Sequence, residues 1–280
     1  MAVSKISQNS MDSSAIHGRR NMIINGAMEV YQRTSSVTSV TDNTYPVQDR
    51  MNFFSSNDGV ISVFASSEHP TGLGFSKSLK VDVTTADTSI AAAQYLAINQ
   101  RIEGLNHRIL EYGTVNARTI TVSFYAKSNI TGPFYYSVRN SAADRARPVE
   151  FNLSAANTWE RIILTIPGDT SGTWLETTGI GATHQISLAM GSNYHGTNNT
   201  WQAGNKVVAS NQVNLLSSTS NEFFLTGWQV ELGSSASPYE HRTYVDTLND
   251  CFRYFYRLRK TNAYGEFCTI RTYSSDDGTG

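Results

Sequence analysis

The chain has 280 residues, more than most single domains, although an all-β sandwich can exceed roughly 200 residues as one unit. Its 22 basic and 23 acidic residues leave a formal net charge of −1, which excludes nucleic acid as a partner gathered by overall charge. Hydrophobic residues make up 39% and charged residues 16%, so the polar surface is built mainly from Ser, Thr, Asn and Gly, and any polymer it meets is expected to be uncharged. The two cysteines, Cys251 and Cys268, give neither a disulfide framework nor metal-ligand spacing. The first residues lack the apolar core of a signal peptide, and no stretch approaches the roughly 20 apolar residues of a membrane span. Synthesis in a cytoplasm without membrane insertion is expected.

Residues 1–20 are small and polar, with Ile6, Met11 and Ile16 too sparse to bury a core. They read as an arm that orders against a partner. From residue 21 strands are expected over 21–32, 47–54, 59–65, 76–83, 92–102, 118–128, 134–140, 149–153, 159–166, 184–189 and 222–231. Alternation is plain where Ile120, Val122 and Phe124 share one face while Thr119, Thr121 and Ser123 share the other, facing solvent. Turn runs at 57–59, 129–133 and 167–172 separate the strands, and the pattern predicts an all-β antiparallel sandwich. A short helix is expected over 245–251, with Asp246 as a possible cap. Phe252, Tyr254, Tyr256 and Leu258 then alternate as in a strand, opening a hairpin with the run from Gly265. A two-stranded ribbon is marginal alone, so Phe252, Tyr254 and Tyr256 are expected, with Ile6, Met11 and Ile16, to be buried on assembly. The division is an arm (1–20), a sandwich (21–246) and a linker into a C-terminal β unit (247–280).

With 14 Tyr, 12 Phe and 4 Trp, most aromatic side chains must be core; Trp159 and Trp228 are assigned there, and Trp174 stays open. Phe134, Tyr136 and Val138 point one way, and Tyr135, Ser137 and Arg139 the other. Tyr135 and Arg139 are therefore ligand candidates, with simple packing as the alternative. A second set, Tyr194, His195 and Trp201, lies in the Gly/Asn-rich stretch 191–205, where Trp201 is either a binding residue or the pin that holds the loop. Aromatic rings offer platforms for the C–H faces of sugars, and amides and guanidinium forks satisfy hydroxyls.

No enzyme is expected. Glu103, Glu111, Asp169 and Glu176 show no pairing motif, the six histidines show no ligand spacing, and no Gly-x-Ser-x-Gly occurs. No cofactor or metal follows from the residues. Arg253, Arg257, Arg259 and Lys260 among aromatics are offset by Glu266, Asp276 and Asp277, so a solvated strand face or subunit contact is the reading there. Glu240, His241 and Arg242 read as a structural group at a domain boundary.

Asn21-Met-Ile-Ile-Asn25-Gly26-Ala-Met-Glu29 and Phe224-Leu-Thr-Gly-Trp228-Gln-Val-Glu-Leu-Gly-Ser234 resemble the first and last strands of carbohydrate-binding-module jelly rolls of the galactose-binding-like superfold. Residues 78–81, 95–102, 121–128 and 158–161 follow in the matching order, so the resemblance covers about 21–233. Residues 21–33, Asp49-Arg50, Gly168-Asp-Thr-Ser-Gly-Thr-Trp174, 227–234 and Ser237-Pro-Tyr-Glu-His-Arg-Thr-Tyr244 also resemble tailed-bacteriophage virion proteins, over nearly the whole chain after residue 20. That resemblance implies a tail-fibre or appendage subunit on the virion, a homotrimer that meets other virion proteins through residues 1–20 and host surface glycans through its jelly roll. A free-standing carbohydrate-binding module and a capsid decoration protein are the alternatives. Two positions depart from the pattern: Met51 stands where Trp is usual after Asp-Arg, and Gln229 stands where the sugar-binding modules often place an acid for structural calcium.

Overall fold

The computed structural model describes residues 19–257, so Ile6, Met11, Ile16 and the run from Gly265 lie outside the described residues. The strands are β1 (Ser36–Val40), β2 (Asn52–Ser56), β3 (Val60–Ser66), β4 (Ser78–Thr85), β5 (Tyr95–Glu103), β6 (Ile120–Ser128), β7 (Gly132–Asn140), β8 (Arg145–Leu153), β9 (Glu160–Ile166), β10 (Ile180–Met190), β11 (Gln202–Ala203) and β12 (Glu222–Leu232). The helices are α1 (Gly104–His107) and α2 (Tyr244–Phe252). Two six-stranded antiparallel sheets, ordered β1-β3-β4-β12-β6-β9 and β11-β8-β7-β10-β5-β2, pack as a jelly-roll sandwich.

Alternation builds the core. Ile120, Val122 and Phe124 of β6, Phe134, Tyr136 and Val138 of β7, Leu96 and Ile98 of β5 and Trp228 of β12 meet in one buried cluster between the sheets. Trp228 stands edge-on to Tyr136 at 6.1 Å. Trp174 joins the cluster, stacked 5.3 Å from His107. Trp159 does not. It is half-buried on the outer face of the first sheet, edge-on to Phe224 at 6.0 Å.

Three segments depart from the alternation reading, each because another interaction outweighs it. Residues 21–32 are not a strand: Asn25 (φ 61°) and Met28 (φ 62°) adopt the left-handed region. Asn25 Nδ2 donates to the Val30 and Asp49 carbonyls, and Asn21 Oδ1 accepts from Val230 N at 3.0 Å. Gly26 follows because a Cβ there would lie 2.0 Å from the Trp228 carbonyl oxygen. The Asn-x-x-x-Asn-Gly run is thus a side-chain-bonded lining along β12.

The polar face of β6 is not solvated either. Thr121 Oγ1 donates to Gly233 O at 2.8 Å, and Tyr239 folds back to Phe75, which meets Tyr125 at 5.5 Å. At the C-terminal end α2 is capped by Thr243, not Asp246: the Thr243 hydroxyl accepts from Asp246 N at 3.2 Å and donates to Asp246 Oδ2 at 2.6 Å. The helix runs through Phe252, residues 253–254 turn, and 255–256 are irregular instead of forming a strand. Their rings find guanidinium partners on the sandwich: Arg50 lies 3.4 Å from the Tyr254 ring centroid and Arg33 3.5 Å from that of Phe255. Tyr256, mostly exposed, packs edge-on to Phe252 at 4.7 Å.

Candidate functional site

The outer face of the second sheet carries three cross-strand rows fixed by register. Phe54, Ala97, Ser187, Tyr135 and Glu150 form one; Asn52, Asn99, Gln185 and Ser137 the next; Arg101, Thr183 and Arg139 the third. The middle row is buried and polar, and Asn99 Oδ1 and Nδ2, Asn52 Oδ1 and Ser137 Oγ have no hydrogen-bond partner. Buried polar groups need partners, so this row is suited to ordered water, and of its residues Gln185 also lines a cleft on the same face.

Over part of the face the chain after β10 folds into a roof. Val207 N donates to Tyr194 O at 2.9 Å, Gly196 N to Val208 O at 2.7 Å and Asn199 N to Pro148 O at 2.7 Å. Beneath it Val207 and Val208 pack with Ala97, Tyr135, Ala146 and Met190 in a second, smaller apolar cluster. Where the roof stops, a cleft of about 300 Å³ opens, lined by Phe54, Tyr95, Arg101, Arg139, Tyr194 and Asn205, with Asn43, Gln185, Met190 and Val207. Tyr95 and Tyr194 meet edge to face at 5.6 Å, and Tyr194 is held by its hydroxyl donating to Ala93 O at 3.2 Å.

The two arginines stand on either side of Thr183, each with its guanidinium carbon 5.2 Å from the Phe54 ring centroid. Arg139 Nε is buried without a partner, and Nη1 reaches only the Asn205 amide oxygen at 3.5 Å. Burial, and then the like charge of Arg101, pull the Arg139 pKa down to about 10.

The cleft brings together Arg139 and Tyr194 of the five ligand candidates. Tyr135 is fully buried under the roof, its hydroxyl donating to Glu150 Oε2 at 2.8 Å while Asn211 Nδ2 donates to the same oxygen at 2.9 Å. His195 lies behind Tyr194, its Nε2 3.2 Å from the Met190 carbonyl. Trp201 takes the role of pin: its indole donates to Pro167 O at 2.8 Å, and its ring meets Trp174 at 5.6 Å and Tyr112 at 5.8 Å. Phe54, Tyr95 and Arg101 were not singled out in the sequence. Their signal was present, since Tyr95, Ala97, Asn99 and Arg101 alternate onto one face of β5.

A second cleft of about 550 Å³ lies where residue 19 enters the fold, between residues 21–27 and 239–242. Among its lining groups Arg19 pairs with Asp250 at 2.6 Å, Arg242 pairs with the same carboxylate, and Glu240 Oε2 accepts from the backbone N of Arg20 at 3.0 Å. Among the described residues no three His, Cys, Asp or Glu side chains converge as metal ligands. Gln229 donates to Glu231 Oε1 at 3.0 Å.

No protein-family model and no curated protein sequence matches the chain. Among solved structures it is similar to the enzymatically active domain of tailspike protein 4 of bacteriophage CBA120, at 13% identity and TM-score 0.39, over 76% of this chain and 21% of that one. It is similar to the family 11 carbohydrate-binding module of Clostridium thermocellum, in complex with a mixed-linked tetrasaccharide, at 11% identity and TM-score 0.34, over 71% of this chain and 97% of that one. A xylan-binding domain from Paenibacillus barcinonensis is similar at 11% identity and TM-score 0.31, over 72% and 94%. The jelly-roll assignment stands on this chain's own strand order and register.

Proposed function

We propose that this chain is a glycan-recognition module that acts by binding and not by catalysis, carried as a homotrimeric tail-fibre or appendage subunit on a tailed-phage particle. The observation that carries the binding reading is the half-roofed cleft on the second sheet. It combines aromatic rings (Phe54, Tyr95, Tyr194) with the amides of Asn43, Gln185 and Asn205 and the unpartnered Arg139 Nε, the mixture that sugar rings with apolar faces and hydroxyl edges require. Its lining contains no carboxyl group, whereas hydrolysis of a glycosidic bond by the common route uses two. The particle assignment is supported by the sequence likeness of residues 21–33, 168–174 and 237–244 to phage virion proteins.

The test is binding of the full chain to a panel of bacterial capsular and O-antigen polysaccharides, compared with Tyr194→Ala. The expected result is retention of at least one polymer and about tenfold weaker retention by the variant, equivalent to about 1.4 kcal/mol. Retention of none, or retention that Tyr194→Ala leaves unchanged, would remove the cleft from the function.

A further inference from the structure

The geometry points to an acidic glycan as the ligand of this cleft, its acid group held between Arg101 and Arg139. The inference rests on the glycan reading above and reverses the expectation, drawn from a net charge near zero, of an uncharged polymer. Net charge averages over the surface; a ligand meets the local field.

Locally the cleft is cationic with nothing to balance it. Arg101 and Arg139 occupy one row, two strands apart, which sets their Cα atoms roughly 10 Å from each other. Both guanidiniums lean over the single Phe54 ring. No Asp or Glu lines the cleft, and no ion pair of the described residues involves either arginine. The groups of opposite tendency facing Arg139 are the phenol hydroxyls of Tyr194 and Tyr95, not carboxylates. Elsewhere burial of a guanidinium comes with an acid in range, as for Arg50 with Glu103 and Arg147 with Asp169.

Two like charges beside a low-dielectric wall repel, and a buried Nε without an acceptor adds a desolvation cost. An anionic group seated in the cleft relieves both. Guanidinium forks match the paired oxygens of a carboxylate or phosphate. The tyrosines and the amides of Asn205 and Gln185 are left for the ring and its hydroxyls. A uronic or related sugar acid and a phosphate-bearing sugar present the same chemistry to the two forks.

The experiment uses the full chain against the same panel, with each acidic polymer also presented after carboxyl reduction or after removal of phosphate. Binding is expected to be confined to acidic polymers and to fall tenfold or more when the acid is removed, consistent with a charged hydrogen-bonded contact. Which treatment abolishes it identifies the acid. Arg101→Gln should produce the same loss. Arg139→Gln serves as a second variant, and Arg161→Gln, on the other sheet, as a control of equal charge change. Equal retention of neutral or acid-stripped polymers, or loss with Arg161→Gln as large as with Arg101→Gln, would overturn the acidic specificity and leave the glycan reading standing. Retention of no polymer would overturn both.

Discussion

Two regions of this sandwich set pairs of arginines against aromatic rings, the ground under α2 and the roofed cleft, and the company each arginine keeps differs. Under α2, Arg33 lies over Phe255 and pairs with the buried Asp49 at 3.0 Å, and Arg253 grips Glu103 with two bonds of 2.9 and 2.8 Å. Arg50, over Tyr254, donates to the backbone carbonyl of Arg101 on β5. In the roofed cleft, Arg101 and Arg139 lean on Phe54 with no acid beside them. An ion pair that closes on itself holds two parts of a chain together, whereas a cation left open is a place for something else to bind. The first region is a clamp that fixes the C-terminal segment; the second has the electrostatics of a site.

Acid should separate the two regions most widely. His184, on β10 beneath the cleft floor, and His107, stacked on Trp174, are buried, and desolvation lowers their pKa values to about 3 and about 4, with the neighbouring His107 adding to the effect at His184. Both are neutral in the folded chain, while the unfolded chain takes up a proton near pH 6.5. Stability is therefore full above about pH 6.5 and falls below it by about 1.4 kcal/mol per pH unit for each histidine, down to the folded pKa values. The Glu103–Arg253 pair of the clamp behaves otherwise. Hydrogen bonding from Arg253 lowers the Glu103 pKa, so its contribution persists until the pH falls into the carboxylate range. Denaturant unfolding between pH 7 and 4 should show the slope, and His107→Gln should remove one histidine's share of it. A flat profile would mean these histidines titrate in the folded state.

Next in size is the clamp itself. Asp49 is buried, and its carboxylate accepts from Gln32 Nε2 and Arg33 Nη1. Asp49→Ala leaves the partly buried Arg33 guanidinium without its acid, which should cost about 3 kcal/mol in denaturant unfolding. Glycan retention at 25 °C should be unaffected, because Asp49 does not line the cleft.

The difference between the regions was only partly legible in the sequence. Period-two alternation put Phe134, Tyr136 and Val138 on one face and Tyr135 and Arg139 on the other, and the structure turns the first set into the main core. Alternation assigns a face; it does not assign a neighbour. Arg101 joins Arg139 only because β10 inserts between β5 and β7, a pairing of strands far apart in sequence. Tyr135 and Tyr194 could not be told apart as buried and lining until the 191–213 segment folded over one and beside the other. The strand expected at 252–258 failed over residues 252–256 because local alternation there competed with a Thr243-capped helix and with two arginines waiting on the sandwich. The opening run 21–32 failed because Asn25 and Asn21 spend their amides on the backbone of β12 and its surroundings.

The smallest expected change discriminates best. Arg101→Gln removes a cation–π contact with Phe54 of about 0.5–1 kcal/mol at a partly exposed site, and removes with it the repulsion on Arg139. The two terms oppose, so unfolding free energy should stay within about 1 kcal/mol of the parent, in either direction. A structural arginine has no such balance, as Asp49 and its partners illustrate from the acid side. Stability kept with binding lost at Arg101, against stability lost with binding kept at Asp49, would be the signature of a site and a clamp built from the same pair of side-chain types. If Arg101→Gln instead destabilises the chain by 2 kcal/mol or more, the cleft arginines hold the roof and the sheet together. The distinction between the two regions would then be one of degree.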